Sequence, residues 1–234
     1  MPKLLELFAG THTLSDVFKA HGWETYTVDW DEKCDVDLHA DIGELSMTDI
    51  KELCGGFPDV IWASPDCTTY SVAALGKHRR KVGDELVPIT DYARQCDNIN
   101  RHVVALIIAC EVMKKVKEHK PFYYFIENPR GAMRKMPWLE GLPRYTVTYC
   151  QYGEDRMKPT DIWTNHPFPN FKPPCKNGDP CHVRAPRGAR TGTQGIDGKL
   201  TRAKLPIELC EHVQSICSGP TLSTNVQTRM GDFL

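Results

Sequence analysis

No apolar run in the 234-residue chain approaches the length of a membrane span, and Met1-Pro2-Lys3 leads directly into a strand-like segment. We therefore expect neither a membrane anchor nor a secretory signal, and predict a cytoplasmic protein. The chain also lacks a large net charge, because 29 Lys and Arg against 30 Asp and Glu leave −1. No global field attracts nucleic acid, so any such binding must depend on local patches.

Disulfides are not expected, although the chain has ten cysteines. Without a secretory signal, a reducing compartment and free thiols are the better interpretation. One alternative is a zinc site, since Cys175, Cys181 and His182 are followed by Cys210 and Cys217. Their spacing is not the close pairing of common zinc motifs, so we predict free thiols and no metal.

The fold is predicted from apolar segments that alternate between strand and helix patterns. Strands are expected at residues 3–8, 23–28, 36–40, 59–63 and 121–126, with later strands at 145–151 and 160–164. Helices are expected at 13–21, 46–54, 91–119 and 206–217. This alternation is typical of an α/β protein with a doubly wound, mostly parallel sheet. We expect one main domain over residues 1–165 and a small Pro/Gly/Arg-rich appendage with a helix over 166–234.

Three short motifs stand at predicted strand ends. Phe8-Ala9-Gly10 follows the first strand, Ser64-Pro65-Asp66-Cys67 follows the fourth, and Glu127-Asn128-Pro129 follows the fifth. In doubly wound sheets, ligands bind at the carboxyl ends of the strands. The motifs therefore point to a single crevice.

In order and spacing these motifs resemble those of the cytosine-5 DNA methyltransferases, over roughly residues 3–165. Pro65, Cys67 and Ser71 match the family's Pro-Pro-Cys-Gln-x-Phe-Ser, with Asp66 in place of the second proline. The resemblance implies a Rossmann-like domain that uses S-adenosylmethionine. It also implies that the cysteine attacks carbon 6 of cytosine, which makes carbon 5 nucleophilic.

Glu127 is the expected partner of Cys67, because addition to the ring is assisted by a carboxyl that protonates or hydrogen-bonds ring nitrogen 3. The alternative is a buried ion pair at the strand end. Tyr152-Gly153 matches a later family motif, in which Arg156 and Lys158 would hydrogen-bond the cytosine carbonyl oxygen. Asp66 is expected to raise the pKa of the Cys67 thiol, since a carboxylate disfavours a neighbouring thiolate.

Cofactor-binding residues are predicted around the first strand ends. A glycine turn and helix amides would hold the methionine carboxylate, and acidic side chains would bind the ribose and the adenine amino group. Each acidic residue has an alternative as a helix cap or solvated turn. Where the family often has a second glycine this chain has His12 and Thr13, and the family's C-terminal Gly-Asn-Ser element is not recognisable. The predicted set is Phe8, Ala9, Gly10, Thr11, Thr13, Leu14, Asp29, Trp30, Asp41, Ile42, Ser64 and Pro65.

Two basic stretches are predicted to contact DNA. The first lies in residues 68–84, expected to be a catalytic loop that closes over a flipped base, and the second in residues 165–204, expected to be a reduced recognition element. Surface loops are the alternative for both. The predicted DNA contacts are Ser71, Lys77, Arg79, Arg80, Lys81, Arg187, Arg190 and Gln194.

The resulting hypothesis is a compact, divergent, monomeric DNA (cytosine-5-)-methyltransferase of phage or restriction-modification type, acting in a bacterial or phage-infected cell. Two alternatives remain open at this point. One is a pyrimidine-modifying enzyme that applies the same Cys/Glu chemistry to RNA or a free nucleotide. The other is a catalytically weakened DNA-binding homologue, which Asp66 and the missing C-terminal element favour.

Overall fold

A seven-stranded sheet forms the centre of the protein in the computed structural model, which describes residues 1–183 and 199–219. The strand order is β3-β2-β1-β4-β7-β9-β8, and β1, β2, β3, β4 and β7 are parallel neighbours. Only β9 runs against its neighbours β7 and β8. The predicted doubly wound, mostly parallel fold is confirmed. The strands are β1 Lys3–Leu7, β2 Glu24–Asp29, β3 Leu38–His39, β4 Val60–Ala63, β7 Tyr123–Pro129, β8 Arg144–Thr148 and β9 Pro159–Thr164.

Four of the six helices in the described residues lie close to the segments that the apolar periodicity indicated, and the third and the fifth were not predicted. They are α1 Thr13–Ala20, α2 Met47–Leu53, α3 Leu75–His78, α4 Asp91–Met113, α5 Lys199–Ala203 and α6 Ile207–Ser218. Helix α2 begins at a capping box, in which Ser46 and Asp49 exchange side-chain and backbone hydrogen bonds. Helix α4 continues into a π-helical turn, Lys114–Glu118. Within the described residues, no helix combines the length and apolarity needed to cross a membrane.

The sheet separates two apolar cores. One core lies under α2 and α4 and includes Ile50, Val103 and Ile107. The other lies under α1 and α6 and includes Phe18 and Val213. Helix α6 therefore packs directly against the main sheet layer, together with α1, rather than standing apart from it.

Two segments differ from the sequence prediction. Strand β7 does not stop at residue 126 but continues to Pro129, because β9 supplies antiparallel partners for Glu127 and Asn128. Residues 68–84, expected to form one loop, instead contain α3 and the first strand of a two-stranded hairpin. That hairpin consists of β5 Arg79–Val82 and β6 Glu85–Pro88, with Gly83 at φ 60° in its turn.

The hairpin is fastened to α4 by a buried ion pair. Both guanidinium Nη atoms of Arg79 donate to the Asp97 carboxylate, at 2.5 and 3.1 Å, and its Nε donates to the Thr69 carbonyl oxygen at 2.9 Å. Tyr70 Oη donates to the same carboxylate at 2.7 Å and accepts from Asn100 Nδ2 at 2.8 Å. All five side chains are buried.

The expectation that Arg79 contacts DNA is therefore wrong. Its side chain is inaccessible to solvent and its donors are committed to Asp97 and to Thr69. Arg79 holds the chain that follows Cys67 against α4, and its neighbours Arg80 and Lys81 remain exposed.

We predict that Asp97→Asn lowers the free energy of unfolding by about 3–5 kcal/mol, because removing one partner leaves the buried Arg79 charge uncompensated. Urea unfolding at neutral pH measures the change. Asp91→Asn is the matched control, since Asp91 forms a solvent-exposed pair with Arg94 on the same helix. Equal midpoints for the two variants would contradict a structural role for the buried pair.

Candidate active site

The carboxyl ends of the central strands meet at one edge of the sheet. Strand β4 pairs with β7 as far as Ala63 opposite Ile126, so the residues that follow, Ser64 and Glu127, diverge at this edge. Because β9 is antiparallel to β7, its first residues lie at the same edge, with Thr160 opposite Pro129. The register thus brings together the segments that carry Cys67, Glu127 and Lys158.

A side chain from one motif holds the backbone of the other. Asn128 Nδ2 donates to the Pro65 carbonyl oxygen at 2.9 Å, and Asn128 is fully buried. The loop then closes as Asp66 Oδ1 accepts from the Thr68 amide at 2.6 Å, while Asp66 Oδ2 accepts from Tyr92 Oη at 3.0 Å. These bonds fix the path of the chain on both sides of Cys67.

The loop after β7 packs tightly on the loop after β4. A Cβ atom at Gly131 would lie 2.4 Å from the Tyr70 carbonyl oxygen, so only glycine fits there without a shift. The next amide, that of Ala132, donates to the same oxygen at 2.8 Å. The turn after Cys67 is further closed by hydrogen bonds from the Tyr70 and Ser71 amides to the Cys67 carbonyl oxygen.

Glu127 is buried, and its carboxylate accepts a hydrogen bond from Tyr149 Oη at 3.0 Å. Tyr149 follows the end of β8, which the register places at the same edge, with Thr148 opposite Pro159. The Lys158 ammonium lies 4.5 Å from the centre of the Tyr149 ring. Glu127 is not part of an ion pair at hydrogen-bond distance among the described residues, so the strand-end salt bridge considered from sequence is not formed there.

Cys67, Glu127 and Lys158 influence one another electrostatically. Burial is the largest cause that raises the pKa of the Cys67 thiol, followed by the charges of Glu127 and Asp66, while the Lys158 cation lowers it. The pKa of Lys158 is lowered, mainly by burial, against the opposing effects of Glu127 and Cys67. The sequence-based expectation about Asp66 thus has the right sign, although burial and Glu127 contribute more.

The Arg156 guanidinium has more protein partners than the Lys158 ammonium. It is buried and forms an ion pair with Glu154, and its Nη1 and Nη2 donate to the carbonyl oxygens of Arg202 and Lys204, at 3.3 and 3.1 Å. Lys158 Nζ also donates to the Arg202 carbonyl oxygen, at 3.1 Å. Arg156 therefore binds the segment around α5 through more contacts than Lys158 does.

In the turn between β1 and α1, two residues other than glycine adopt the left-handed backbone conformation that favours glycine. Phe8 and His12 have φ values of 62° and 53°, in the left-handed region, and His12 caps α1 where the family often has glycine. Gly10 N donates to Asp29 Oδ2 at 3.2 Å, and the Asp31 amide donates to Asp29 Oδ1 at 3.0 Å. The Asp29 carboxylate thus joins the turns that follow β1 and β2.

The other predicted cofactor residues fall into three groups. Trp30 is 68% exposed beside Asp29, and Asp41 is exposed with its Oδ1 bonded to the Gly43 amide at 2.8 Å. Leu14 and Ile42 have side chains in the apolar cores, so only their backbone faces the turns. The remaining members are Ala9 and Thr11 in the turn after β1, Thr13 at the start of α1, and Ser64 and Pro65 after β4.

The predicted DNA contacts are divided by the structure. Ser71 lies in the turn after Cys67, and Lys77, Arg80 and Lys81 are exposed on α3 and β5. The expected contacts Arg187, Arg190 and Gln194 lie outside the described residues.

Sequence reasoning missed two residues of this site. Asn128 stands within the quoted Glu127-Asn128-Pro129 motif, but its buried side chain was not singled out. Tyr149 gave a weaker indication, as an aromatic residue at the end of a predicted strand. Its contact with Glu127 spans 22 residues and depends on the antiparallel turn of β8 and β9, which sequence spacing does not reveal.

Comparison with known proteins identifies one relative along nearly the whole chain. A protein of Frog virus 3 (isolate Goorha), named a probable DNA (cytosine-5)-methyltransferase, is 25% identical over 236 residues, covering 92% of this chain and 100% of its own length. The resemblance predicted from the motifs is confirmed. Over nearly its whole length the chain is similar to this probable cytosine-5 DNA methyltransferase. No family model matches the sequence.

The solved structures to which this chain is similar are larger than the chain. A prophage-encoded protein of E. coli described as a DNA modification methyltransferase has a TM-score of 0.47 and 15% identity, over 70% of this chain and 46% of its own. A methyltransferase of Entamoeba histolytica has a TM-score of 0.48 and 15% identity, over 70% and 52%. The chain thus spans about half the length of these structures.

We predict that Asp66→Asn lowers the pKa of the Cys67 thiol, because it removes a negative charge that disfavours the thiolate while keeping an acceptor for the Thr68 amide. Alkylation of Cys67 should therefore begin at lower pH and be faster at neutral pH. Iodoacetamide labelling from pH 6 to 10, read on the Cys67 peptide by mass spectrometry, measures the shift. Asp84→Asn, in the exposed hairpin turn, is the control, and identical profiles for the two variants would contradict the prediction.

Proposed function

We propose that this chain transfers a methyl group from S-adenosylmethionine to carbon 5 of cytosine in DNA, through a covalent adduct with Cys67 assisted by Glu127. The observation that carries the proposal is the convergence of Cys67, Glu127 and Lys158 at one edge of the sheet, where each shifts the electrostatics of another. The viral relative, named for this activity, supports the same assignment.

The residues near the β1–α1 turn fit the proposed cofactor. The Asp29 carboxylate uses one hydrogen bond on each oxygen, which leaves acceptor capacity for ribose hydroxyls. Trp30 offers an exposed aromatic face beside it for adenine. In the first turn of α1 the Ser15 amide already donates to Glu6 Oε2 at 3.0 Å, so the amides of Thr13 and Leu14 are the ones that would hold the methionine carboxylate. When bound there, S-adenosylmethionine would supply the electrophilic methyl group.

Cys67 and Glu127 would have different roles in the reaction at the cytosine ring. The Cys67 thiol would give its proton to water, its sulfur would form a bond to carbon 6, and the electron pair displaced from the ring double bond would reach carbon 5. The Glu127 carboxyl, hydrogen-bonded by Tyr149, would donate to ring nitrogen 3 and neutralise charge that develops there. After transfer, water would take the carbon 5 proton, and the electron pair of that bond would restore the ring double bond and expel the Cys67 thiolate.

Lys158 would offset the negative charges around the reacting sulfur. Its cation is the counter-charge that lowers the pKa of Cys67 against burial, Glu127 and Asp66. Its ammonium has three donors, of which one reaches the Arg202 carbonyl oxygen, so donors remain for the cytosine carbonyl oxygen.

A base paired within duplex DNA could not reach Cys67, which is half-buried between two loops. The target cytosine would have to be flipped out of the stack. The exposed cations of α3 and the hairpin, which follow Cys67 along the chain, are the described residues best placed to hold the flanking phosphates.

Cys67→Ser should abolish methyl transfer while S-adenosylmethionine binding survives, because a hydroxyl is a far poorer nucleophile than a thiolate. Transfer of labelled methyl groups to duplex DNA, to RNA and to dCMP measures the activity and separates the substrate classes. Wild-type protein should also form a covalent adduct with 5-fluorocytosine DNA, since carbon 5 then has no proton to lose. Cys34→Ser is the control and should keep both activities.

The same assay tests Glu127. Glu127→Gln should slow transfer by roughly 10²–10⁴-fold, the range for a positioned general acid, with little change in DNA binding. Transfer to RNA or dCMP in preference to DNA would overturn the substrate assignment. Activity retained by Cys67→Ser would overturn the covalent mechanism.

The exposed hairpin cations generate a separate prediction. Replacing Arg80 and Lys81 by alanine should weaken DNA binding and flatten its dependence on salt by about two units of log K against log[salt], roughly one for each lost phosphate contact. Fluorescence anisotropy from 50 to 300 mM salt measures the slope. A variant lacking Lys19 and Lys117, two exposed cations near the opposite edge of the sheet, is the control. An equal slope for both variants would place the hairpin away from DNA.

A further inference from the structure

A second group of reactive side chains lies beside the site described above. Cys150 is in a short 3-10 turn, Tyr149–Tyr152, at the end of β8. Cys175, Cys181 and His182 come from the segment after β9 that returns across this turn. The ligand atoms of these four residues, which we call the Cys3His cluster, all lie within 4.8 Å of one another.

The distances within the Cys3His cluster fit a tetrahedral zinc ion. Bonds of about 2.3 Å to sulfur and 2.0–2.1 Å to nitrogen give tetrahedron edges of about 3.8 Å between sulfurs and about 3.6 Å between sulfur and nitrogen. Cys181 Sγ is 3.7 Å from Cys150 Sγ and 3.5 Å from His182 Nδ1, and Cys175 Sγ is 3.7 Å from the same nitrogen.

One edge is shorter. Cys150 Sγ and Cys175 Sγ lie 3.0 Å apart, which is well beyond the S–S bond of about 2.05 Å in a disulfide. A disulfide between these two residues would also leave Cys181 and His182 without a reason to face them. The position of all four donors around one point is explained by a shared ion.

We propose that Cys150, Cys175, Cys181 and His182 bind one structural zinc ion. Three thiolates and one imidazole are a donor set that selects zinc over magnesium or calcium, and four protein ligands leave no open position for catalysis. Gln151 Nε2 lies 3.4 Å from Cys181 Sγ and would donate to the coordinated sulfur, which is a common partner of zinc-bound thiolates.

The ion would fasten a segment that has little apolar surface of its own. Residues 172–183 contact the main domain chiefly by polar bonds, such as Cys175 N to Thr148 Oγ1 at 3.0 Å and Val183 N to the Asp155 carbonyl oxygen at 2.7 Å. Such a segment gains most from a metal cross-link, because metal binding then contributes directly to its folding. The zinc would join it to the turn that carries Tyr149.

This inference departs from the free thiols expected from sequence. Two of the five candidate ligands do not take part, since Cys210 and Cys217 lie on α6 and pack with the core under α1. Cys150, which replaces them, is separated from Cys175 by 25 residues, so no local spacing motif reveals it.

The experiment is metal analysis of the full chain, purified without an affinity tag or chelator. We expect about one zinc per chain by inductively coupled plasma mass spectrometry. Exchange with Co²⁺ should give the visible absorption of a tetrahedral site and a thiolate charge-transfer band in the near ultraviolet. Cys181→Ala and His182→Ala should each lose most of the metal, and Cys217→Ala, the matched control from the rejected ligand set, should keep it.

Three results would overturn the proposal. One is a wild-type chain that neither contains zinc nor takes up zinc or Co²⁺ after reduction. Another is a Cys150–Cys175 disulfide found by peptide mapping of protein purified under reducing conditions. The third is full zinc content in Cys181→Ala. Because the wild-type cobalt spectrum reports the ligand set directly, the proposal stays testable even where a variant fails to fold.

Discussion

The hydrogen bond from Asn128 Nδ2 to the Pro65 carbonyl oxygen is the contact on which the candidate site depends. The sheet aligns β4 and β7 only as far as Ala63 opposite Ile126, and the two chains then separate into different loops. Without a contact beyond that point, the position of the Cys67 sulfur relative to the Glu127 carboxyl would not be fixed. Asn128 is the residue after Glu127, so the same strand end that presents the carboxyl also holds the loop that presents Cys67. The tight contact of Gly131 with Tyr70 and the Arg79–Asp97 ion pair also hold in place the chain that follows Cys67.

Burial of the Cys67 thiol has two opposing effects on its reactivity. It excludes water from the site and strengthens electrostatic interactions there, but it also raises the pKa of Cys67. Asp66 adds to that increase, and its carboxylate is held in place by the Thr68 amide and by Tyr92. Lys158 is the compensating charge, and its own pKa is lowered by the same burial. The reactivity of the thiol therefore depends on the balance between one cation and two carboxylates, which a bound substrate would shift by displacing the remaining water.

Local sequence patterns predicted the parts of the fold that depend on local physics. The first five strands of the main sheet and the long helices follow from apolar runs and from caps such as Ser46, and the edge at which Cys67 and Glu127 meet follows from the strand ends. Burial of charge was not predictable in the same way. Within Lys77-His78-Arg79-Arg80-Lys81 all residues look alike in sequence, yet only His78 and Arg79 are buried, because α4 supplies Asp97 and Thr90. Tyr149 and Cys150 were missed for a related reason, since their partners are distant in sequence.

The reversal of direction at β9 explains why both unpredicted groups lie so close together. Because β9 is antiparallel to both β7 and β8, β8 ends and β9 begins at the carboxyl edge of the sheet, so the turn after β8 lies beside Glu127. In that turn Tyr149 faces the Glu127 carboxyl, and the next residue, Cys150, belongs to the Cys3His cluster. Successive side chains of one short turn thus contact Glu127 and the segment that carries Cys175 and Cys181. Any ligand that orders the cluster also restrains the Tyr149 phenol, and through it the Glu127 carboxyl. A structural ion at this position would therefore contribute to catalysis by positioning alone, without contact with the reacting atoms.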